Sequence, residues 1–253
     1  MTVNRVAGPA SGSDDGADVP VLRGVGLGKH FDGVYAVRDV TLELEHGEVL
    51  GLIGPNGSGK STLLDLLAGI QVADHGTVWL DGQNMTFRSA AVRAESGMAR
   101  LFQMSRVYSS LTVEENVRVV IGRYGSADED TIQFALETVG LADRRRHLAG
   151  ELSYGQQRLL DIARALAMRP SLLLLDEPTA GVHARLVESI GELVTRLARQ
   201  DTSLGILLIE HNVGFVRTVC SRLMALDDGE LIAAGSVDEV LADPKVLEAY
   251  YGG

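Results

Sequence analysis

The chain has a single cysteine, Cys220, in 253 residues. An internal disulfide is excluded, which fits a reducing compartment. Long apolar runs are also missing. The longest, Leu172–Leu175 and Ile206–Ile209, are strand-sized, far below the roughly 18–20 residues of a membrane-crossing helix. Met1–Asp18 lacks the apolar centre of a secretory signal. The expectation is a cytoplasmic protein whose contact with a membrane runs through a partner. Basic residues are in deficit, and the formal net charge of −11 argues against nucleic acid as the main ligand, because the phosphate backbone would repel it. No internal repeat stands out. Apolar side chains, by contrast, make up 45% of the chain, ample for the core of one large domain or a domain with a subdomain.

One stretch carries explicit chemistry. Gly54-Pro55-Asn56-Gly57-Ser58-Gly59-Lys60-Ser61-Thr62 fits the phosphate-binding pattern G-x-x-x-x-G-K-[ST] at every defined position. Before it, Val49–Ile53 is a short apolar run that reads as a buried parallel strand. After it, Leu63–Ala68 reads as a helix that Gly69 ends. Glycines at Gly57 and Gly59 let successive N–H groups turn inward around phosphate oxygens, with Asn56 just before them and Ser58 between them. The helix start adds unpaired donors and the positive end of its dipole. In such a loop Lys60 reaches the β- and γ-phosphates and the Ser61 hydroxyl is a ligand of Mg²⁺. Thr62 adds a hydroxyl near the α- and β-phosphates.

The rest of the chain supplies a frame. Residues 1–19, rich in Gly, Ala, Ser and Asp, read as a disordered tail, with order beginning near Val21. Val40, Leu42 and Leu44 alternate with polar residues, as in a half-buried strand. Asp81-Gly82 and Asp228-Gly229 read as hairpin turns between short strands. From Thr112 to Ala149 the pattern is helical, with Ile132, Leu136 and Val139 on one face and Gly140 as a C-terminal cap. Arg144-Arg145-Arg146 reads as a solvated helix end or loop rather than a phosphate patch. Further helices are expected from Ser153 to Met168, along Leu186–Leu197, and at Val237–Ala242 and Lys245–Tyr250, with buried strands at Leu172–Leu175 and Ile206–Ile209.

The first of those strands ends in Asp176-Glu177. With a phosphate loop upstream, this pair reads as the second half of a nucleotide-hydrolysing site. Asp176 would face Mg²⁺ through a water, and Glu177 would polarise the attacking water as general base. Leu152-Ser153-Tyr154-Gly155-Gln156-Gln157-Arg158 has two readings. Ser153 with Gln156 is a capping box that any helix can carry. Alternatively, Ser153 and the Gly155 N–H form an anion site at a helix start.

Together, the Gly54–Thr62 loop, the Leu152–Arg158 motif and Leu172–Glu177 resemble the ATP-binding subunits of ATP-binding cassette transporters, in order and spacing, from about Val21 to the C-terminus. The resemblance implies an α/β fold: a P-loop NTPase (RecA-like) core, an antiparallel β subdomain and a helical subdomain at about 104–165, within an ATP-binding domain spanning 20–253. It implies ATP and Mg²⁺ as ligands and a dimer in which Ser153 and Gly155 bind the γ-phosphate held by the other subunit. It further implies that Gln103 joins Mg²⁺ and water to the membrane-facing subdomain. His211 would contact the γ-phosphate, and Phe31, with Tyr35 as second candidate, would stack on adenine. The implied partners are transmembrane permease subunits, a sister or identical ATP-binding subunit and, indirectly, a solute-binding protein, on the inner face of the cell membrane.

Within that family, Ala99–Gln103, Leu111–Val117, Ile209–Asn212 and Val246–Gly252 are most similar to the branched-chain amino acid uptake subunits. Urea and amide importers share these features. Val182-His183 departs from the Leu followed by Asp or Asn that is usual in the loop crossing between subunits, and the segment from Asn116 to Leu152 is shorter than in one uptake subunit type. The competing class is a non-transport regulator that uses ATP-driven dimerisation.

Overall fold

The computed structural model describes residues 19–124 and 128–251; apart from Val19, the tail expected at 1–19 lies outside them. Two long strands, β1 (Leu22–Phe31) and β2 (Val34–Leu44), precede β3 (Val49–Ile53) and α1 (Lys60–Leu67). Then come β4 (His75–Leu80), β5 (Gln83–Asn84), α2 (Ala90–Glu95) and β6 (Met98–Leu101). A helical stretch follows, with α3 (Val113–Tyr124), α4 (Glu129–Thr138) and α5 (Tyr154–Leu166). The core resumes with β7 (Leu172–Asp176), α6 (Ala184–Gln200), β8 (Gly205–Ile209) and α7 (Val213–Val219). The hairpin β9 (Arg222–Asp227) and β10 (Glu230–Gly235) leads to α8 (Val237–Ala242) and α9 (Pro244–Tyr251).

The strands form two sheets. An antiparallel one has the order β2-β1-β4-β5, and the other has the order β10-β9-β3-β8-β7-β6. In the second, every neighbouring pair from β9 to β6 is parallel and only β10 runs against its neighbour. The continuous apolar runs follow from that position. Leu172 and Leu174 face the layer shared with α1 and the antiparallel sheet, while Leu173 and Leu175 face the layer under α3–α6. Leu207 and Ile209 divide from Ile206 and Leu208 in the same way. A strand covered on both faces has no reason to alternate with polar residues.

Asp81 and Gly82 have φ of 47° and 72°, and Asp228 and Gly229 43° and 79°, the pair of left-handed residues a tight hairpin needs. Ile132 and Leu136 are buried in α4, and Gly140 takes φ 72° just beyond it. Arg145, the middle residue of the arginine run, pairs with Glu114 at 2.6 Å and also with Glu129, so that charge is taken up within the helical region. Two expected boundaries move. The helix after Ser153 stops at Leu166 rather than Met168, because Arg169 turns the chain at φ 49°. The last helix begins at Pro244, whose ring fits a first helical position.

α1 is held at its far end by a buried cation. Arg93, 2% exposed, donates to the carbonyls of Leu66 (2.8 Å), Leu67 (2.5 Å), Arg88 (3.1 Å) and Thr86 (3.3 Å). Leu66 and Leu67 are in the last turn of α1, where carbonyls lack helical partners and the dipole is negative. Burial pushes the guanidinium down to about 10. Arg93→Ala should therefore lower the unfolding free energy by about 3 kcal/mol or more, because several buried carbonyls lose their donor. Urea denaturation checks this, and a loss below about 1 kcal/mol would show that the cap is dispensable.

Candidate nucleotide site

Sheet order decides which loops can meet. β3, β8, β7 and β6 are consecutive neighbours and parallel, so the segments leaving their C-terminal ends stand side by side. Those segments are the Gly54–Thr62 loop, Glu210-His211, Asp176-Glu177 and Phe102-Gln103. Ligands of open α/β sheets bind along this edge.

The loop after β3 is packed from behind. A Cβ on Gly54 (φ 153°) would lie 2.1 Å from the carbonyl oxygen of Leu226, and one on Gly59 (φ 100°) 2.0 Å from that of Ala36. Only glycine fits at either place. On the outer side, Asn56, Gly57 and Ser61 are exposed and Thr62 is half-buried. Because α1 starts at Lys60, the N–H groups of Lys60, Ser61 and Thr62 precede the first helical bond, from Leu63 N–H to Gly59 C=O at 2.8 Å. Lys60 Nζ is folded onto its own loop, donating to Gly54 and Pro55 carbonyls at 2.8 Å each and to Ser58 Oγ at 3.3 Å. Burial pushes this ammonium below its ordinary pKa, while Glu177 and Asp176 pull it back up. Behind the loop, Gly54 N–H donates to the Tyr250 hydroxyl of α9 at 2.8 Å.

Glu177 has φ 45° and sits between two of the expected partners. Gln103 Nε2 donates to one carboxylate oxygen at 2.8 Å, and His211 Nε2 lies 3.0 Å from the other. Its own N–H donates to Ile209 C=O at 3.0 Å. Asp176 is engaged by Arg100, whose guanidinium spans Asp176 Oδ2 at 3.1 Å and Asp65 Oδ1 of α1 at 2.5 Å. Beneath them Arg158, 1% exposed, donates to the carbonyls of Asp176 (3.2 Å), Glu177 (3.3 Å), Pro178 (3.3 Å) and Phe102. The last residue of the Leu152–Arg158 motif thus ties the acidic loop to the strand end before Gln103.

The donor set is compatible with Mg²⁺. Ser61, Asp176 and Gln103 offer hard oxygen atoms, and among the described residues no group of three or more His, Cys, Asp or Glu could hold a metal alone. Such a cation would take its remaining ligands from phosphate and water, as Mg²⁺ usually does.

Other candidates stand apart. Ser153 and Gln156 make both bonds of the capping box, at 3.3 Å and 3.1 Å. No hydrogen bond joins Ser153 or Gly155 to the phosphate loop among the described residues. Phe31 and Tyr35 are exposed on the β1–β2 hairpin, with Lys29 Nζ 5.5 Å from the Phe31 ring centroid and the Arg38 guanidinium 5.0 Å from that of Tyr35. Next to Tyr35, Ala36 carries the carbonyl that backs Gly59. Sequence reasoning assigned nothing to Arg100, Arg158, Glu210 or Tyr250. The one signal available was a glutamate directly after the all-apolar run Ile206–Ile209.

Comparison with known proteins identifies the family to which this fold belongs. Residues 37–180 match the family described as ABC transporter. BraF of Pseudomonas aeruginosa, a high-affinity branched-chain amino acid transport ATP-binding protein, is 32% identical over 92% of this chain and 98% of its own length. LivG of Escherichia coli, of the same description, is 34% identical over the same shares. LptB of Haemophilus influenzae, a lipopolysaccharide export system ATP-binding protein, is also 34% identical, over 92% of this chain and 97% of its own. Among solved structures, the ADP conformation of an ATP-binding cassette superposes with a TM-score of 0.84 at 32% identity, over 93% of this chain and all of that one. A dimeric post-hydrolysis cassette bound to ADP and Pi gives 0.74 at 27%, over 85% and 98%. The loops ranged along the parallel sheet thus belong to an ATP-binding cassette, and the chain is a member of the ABC transporter family as an ATP-binding subunit.

Proposed function

We propose that this subunit hydrolyses ATP with Mg²⁺ to drive a membrane-embedded permease that imports branched-chain amino acids or a related small polar solute. The observation that carries the reaction is the Glu177 carboxylate, held at one oxygen by Gln103 and at the other by His211. A base so placed takes a proton from water while that oxygen attacks the γ-phosphorus and ADP leaves. Lys60 would swing from the loop carbonyls to the β- and γ-phosphates, and Thr62 would serve the α- and β-phosphates. His211 would steady the γ-phosphate. Ser61, Asp176 and Gln103 would hold Mg²⁺, which when bound would supply charge neutralisation at the phosphates. Arg100, 3.1 Å from Asp176 Oδ2, keeps that carboxylate oriented. Phe31, with Tyr35 as alternative, would stack on adenine.

The dimer reading rests on Ser153 and Gly155, which reach no phosphate loop of their own chain and stand at the start of a helix, where donors face outward. They would complete the partner subunit's site. The α3–α5 region, about 104–165, would carry the motion from Gln103 to the permease, and a solute-binding protein would deliver cargo on the far side. No helix among the described residues is long and apolar enough to cross a membrane, and in this reading the pore would belong to the partner. Transport relatives that align with nearly the whole chain favour this reading over the regulator. Import and solute class rest on the branched-chain relatives and on Ala99–Gln103 and Val246–Gly252.

Three measurements test this. Glu177→Gln should keep ATP affinity but lose at least about a hundredfold in turnover; near-normal turnover would remove Glu177 as the base. Lys60→Ala should weaken ATP binding by roughly tenfold or more, as expected for a lost charge-assisted contact, with equilibrium dialysis as readout and an unchanged affinity as the adverse result. Finally, E177Q with ATP should retain membrane-spanning subunits in a pull-down from detergent-solubilised membranes. Recovery of soluble or nucleic-acid partners alone would favour the regulator.

A further inference from the structure

The loops after β7 and β8 are joined by one buried carboxylate. Glu210 is 3% exposed and lies between Ile209 and His211. One of its oxygens accepts from the Thr179 backbone N–H at 2.9 Å and from the Thr179 hydroxyl. The other accepts from the N–H groups of His211 at 3.0 Å and Asn212 at 3.2 Å. A carboxylate has about four acceptor sites, two on each oxygen, and here all four are used, two toward each loop. No basic side chain makes an ion pair with it among the described residues. A buried charge is tolerated only when fully hydrogen-bonded, so the four donors must keep their places while Glu210 is there.

Thr179 is two residues past Glu177 and opens the Thr179–His183 segment, which leads into α6. Asn212 starts α7, its side chain accepting from Phe215 N–H at 3.1 Å. On the opposite side of the Asp176–Pro178 loop, Arg158 takes the carbonyls. A guanidinium on the carbonyls and a carboxylate on the next N–H restrain this loop in both directions. We propose that Glu210 is a positioning residue that binds the loop after β7 at Thr179 to the loop after β8 at His211 and Asn212, so that a shift of the Thr179–His183 segment moves His211 relative to Glu177. The proposal rests on the ATPase reading above and adds to it the link through which the segment next to Glu177 sets the His211 contact.

Glutamine at this position separates the role from simple volume filling. Its amide oxygen can still accept from Thr179, but its NH₂ would then face two N–H donors, and one loop must lose its anchor. In full-length protein, Glu210→Gln should lower kcat for ATP at least tenfold while KM stays within about twofold. Thr179→Ser, which keeps both donors, should stay within twofold of wild type in both constants. Thr179→Val should lower kcat about threefold in wild type and add nothing in the E210Q background. Should E210Q not fold, Thr179→Val against Thr179→Ser reads the same link. The proposal is overturned if E210Q keeps wild-type kcat, if KM rises in step with the loss, if Thr179→Val matches Thr179→Ser, or if the two substitutions add independently. Wild-type protein that leaves ATP unhydrolysed in the same assay would remove the ATPase reading and this link with it. Wild-type turnover with an unaffected E210Q would remove the link alone.

Discussion

Parallel backbone ladders hold β3, β8 and β7 in register from Val49–Ile206 to Leu52–Ile209, and from Leu172–Gly205 to Asp176–Ile209. Because those ladders end together, the chain must leave three adjacent strands at one level of one edge. The phosphate loop, His211 and Glu177 are neighbours for that reason, although they are far apart in sequence. Sheet twist and strand spacing, about 4.8 Å, then put side chains of adjacent loops within hydrogen-bond reach. Everything downstream depends on this alignment. A one-residue slip of β7 would turn its leucines to the opposite layers and carry Glu177 away from Gln103 and His211.

Charge balance at that edge is achieved with few conventional pairs. Asp176 and Asp65 share Arg100, whereas Arg158, like Arg93 at the far end of α1, is buried against carbonyl groups. Strand ends and helix C-termini leave carbonyls without partners, and a guanidinium with five donors can collect several of them at once. Such a cation costs desolvation but fixes backbone rather than a side chain, so it suits positions where loop geometry must not vary. Glu210 does the complementary work for N–H groups. The unusual φ of 45° at Glu177 is sustained within this frame: its N–H is taken by Ile209 and its carbonyl by Arg158. Backbone strain of this kind persists only where surroundings over-determine it.

What was legible in the sequence follows the same physics. β7 and β8 were plain because strands buried on both faces leave uninterrupted apolar runs. β1 was not: Leu22–Phe31 contains glycines at 24, 26 and 28, and its pairing with β2 shifts register between Gly24 and Leu27, so no alternation survives. β6 and α7 are too short to show a period, and α2 has only Arg93 buried. Lys60, Ser61, Asp176 and Glu177 could be read because local spacing constrains them. Gln103 and His211 could be placed only by resemblance, since what makes them neighbours of Glu177 is the sheet order. Arg100, Arg158 and Glu210 act on backbone or on other side chains across strands, and such contacts leave no mark on spacing.

The Leu152–Arg158 motif shows how two readings of one residue can both hold. In the capping box, Ser153 Oγ is an acceptor, receiving the Gln156 N–H, and Gln156 Oε1 receives the Ser153 N–H. A serine hydroxyl has a hydrogen to donate as well, and the cap leaves it unused. Gly155 occupies the second helical position, before the N–H that the cap consumes, and its N–H meets no acceptor among the described residues. A Cβ there would lie 2.3 Å from Leu186 Cδ2, so a larger residue on this turn would have to displace the tip of that side chain of α6. The cap therefore fixes the hydroxyl and the N–H at the mouth of a helix dipole without spending either. An anion brought to that turn by a second subunit would find donors already ordered, and the structural role of Ser153 becomes the means by which the binding role could be carried out.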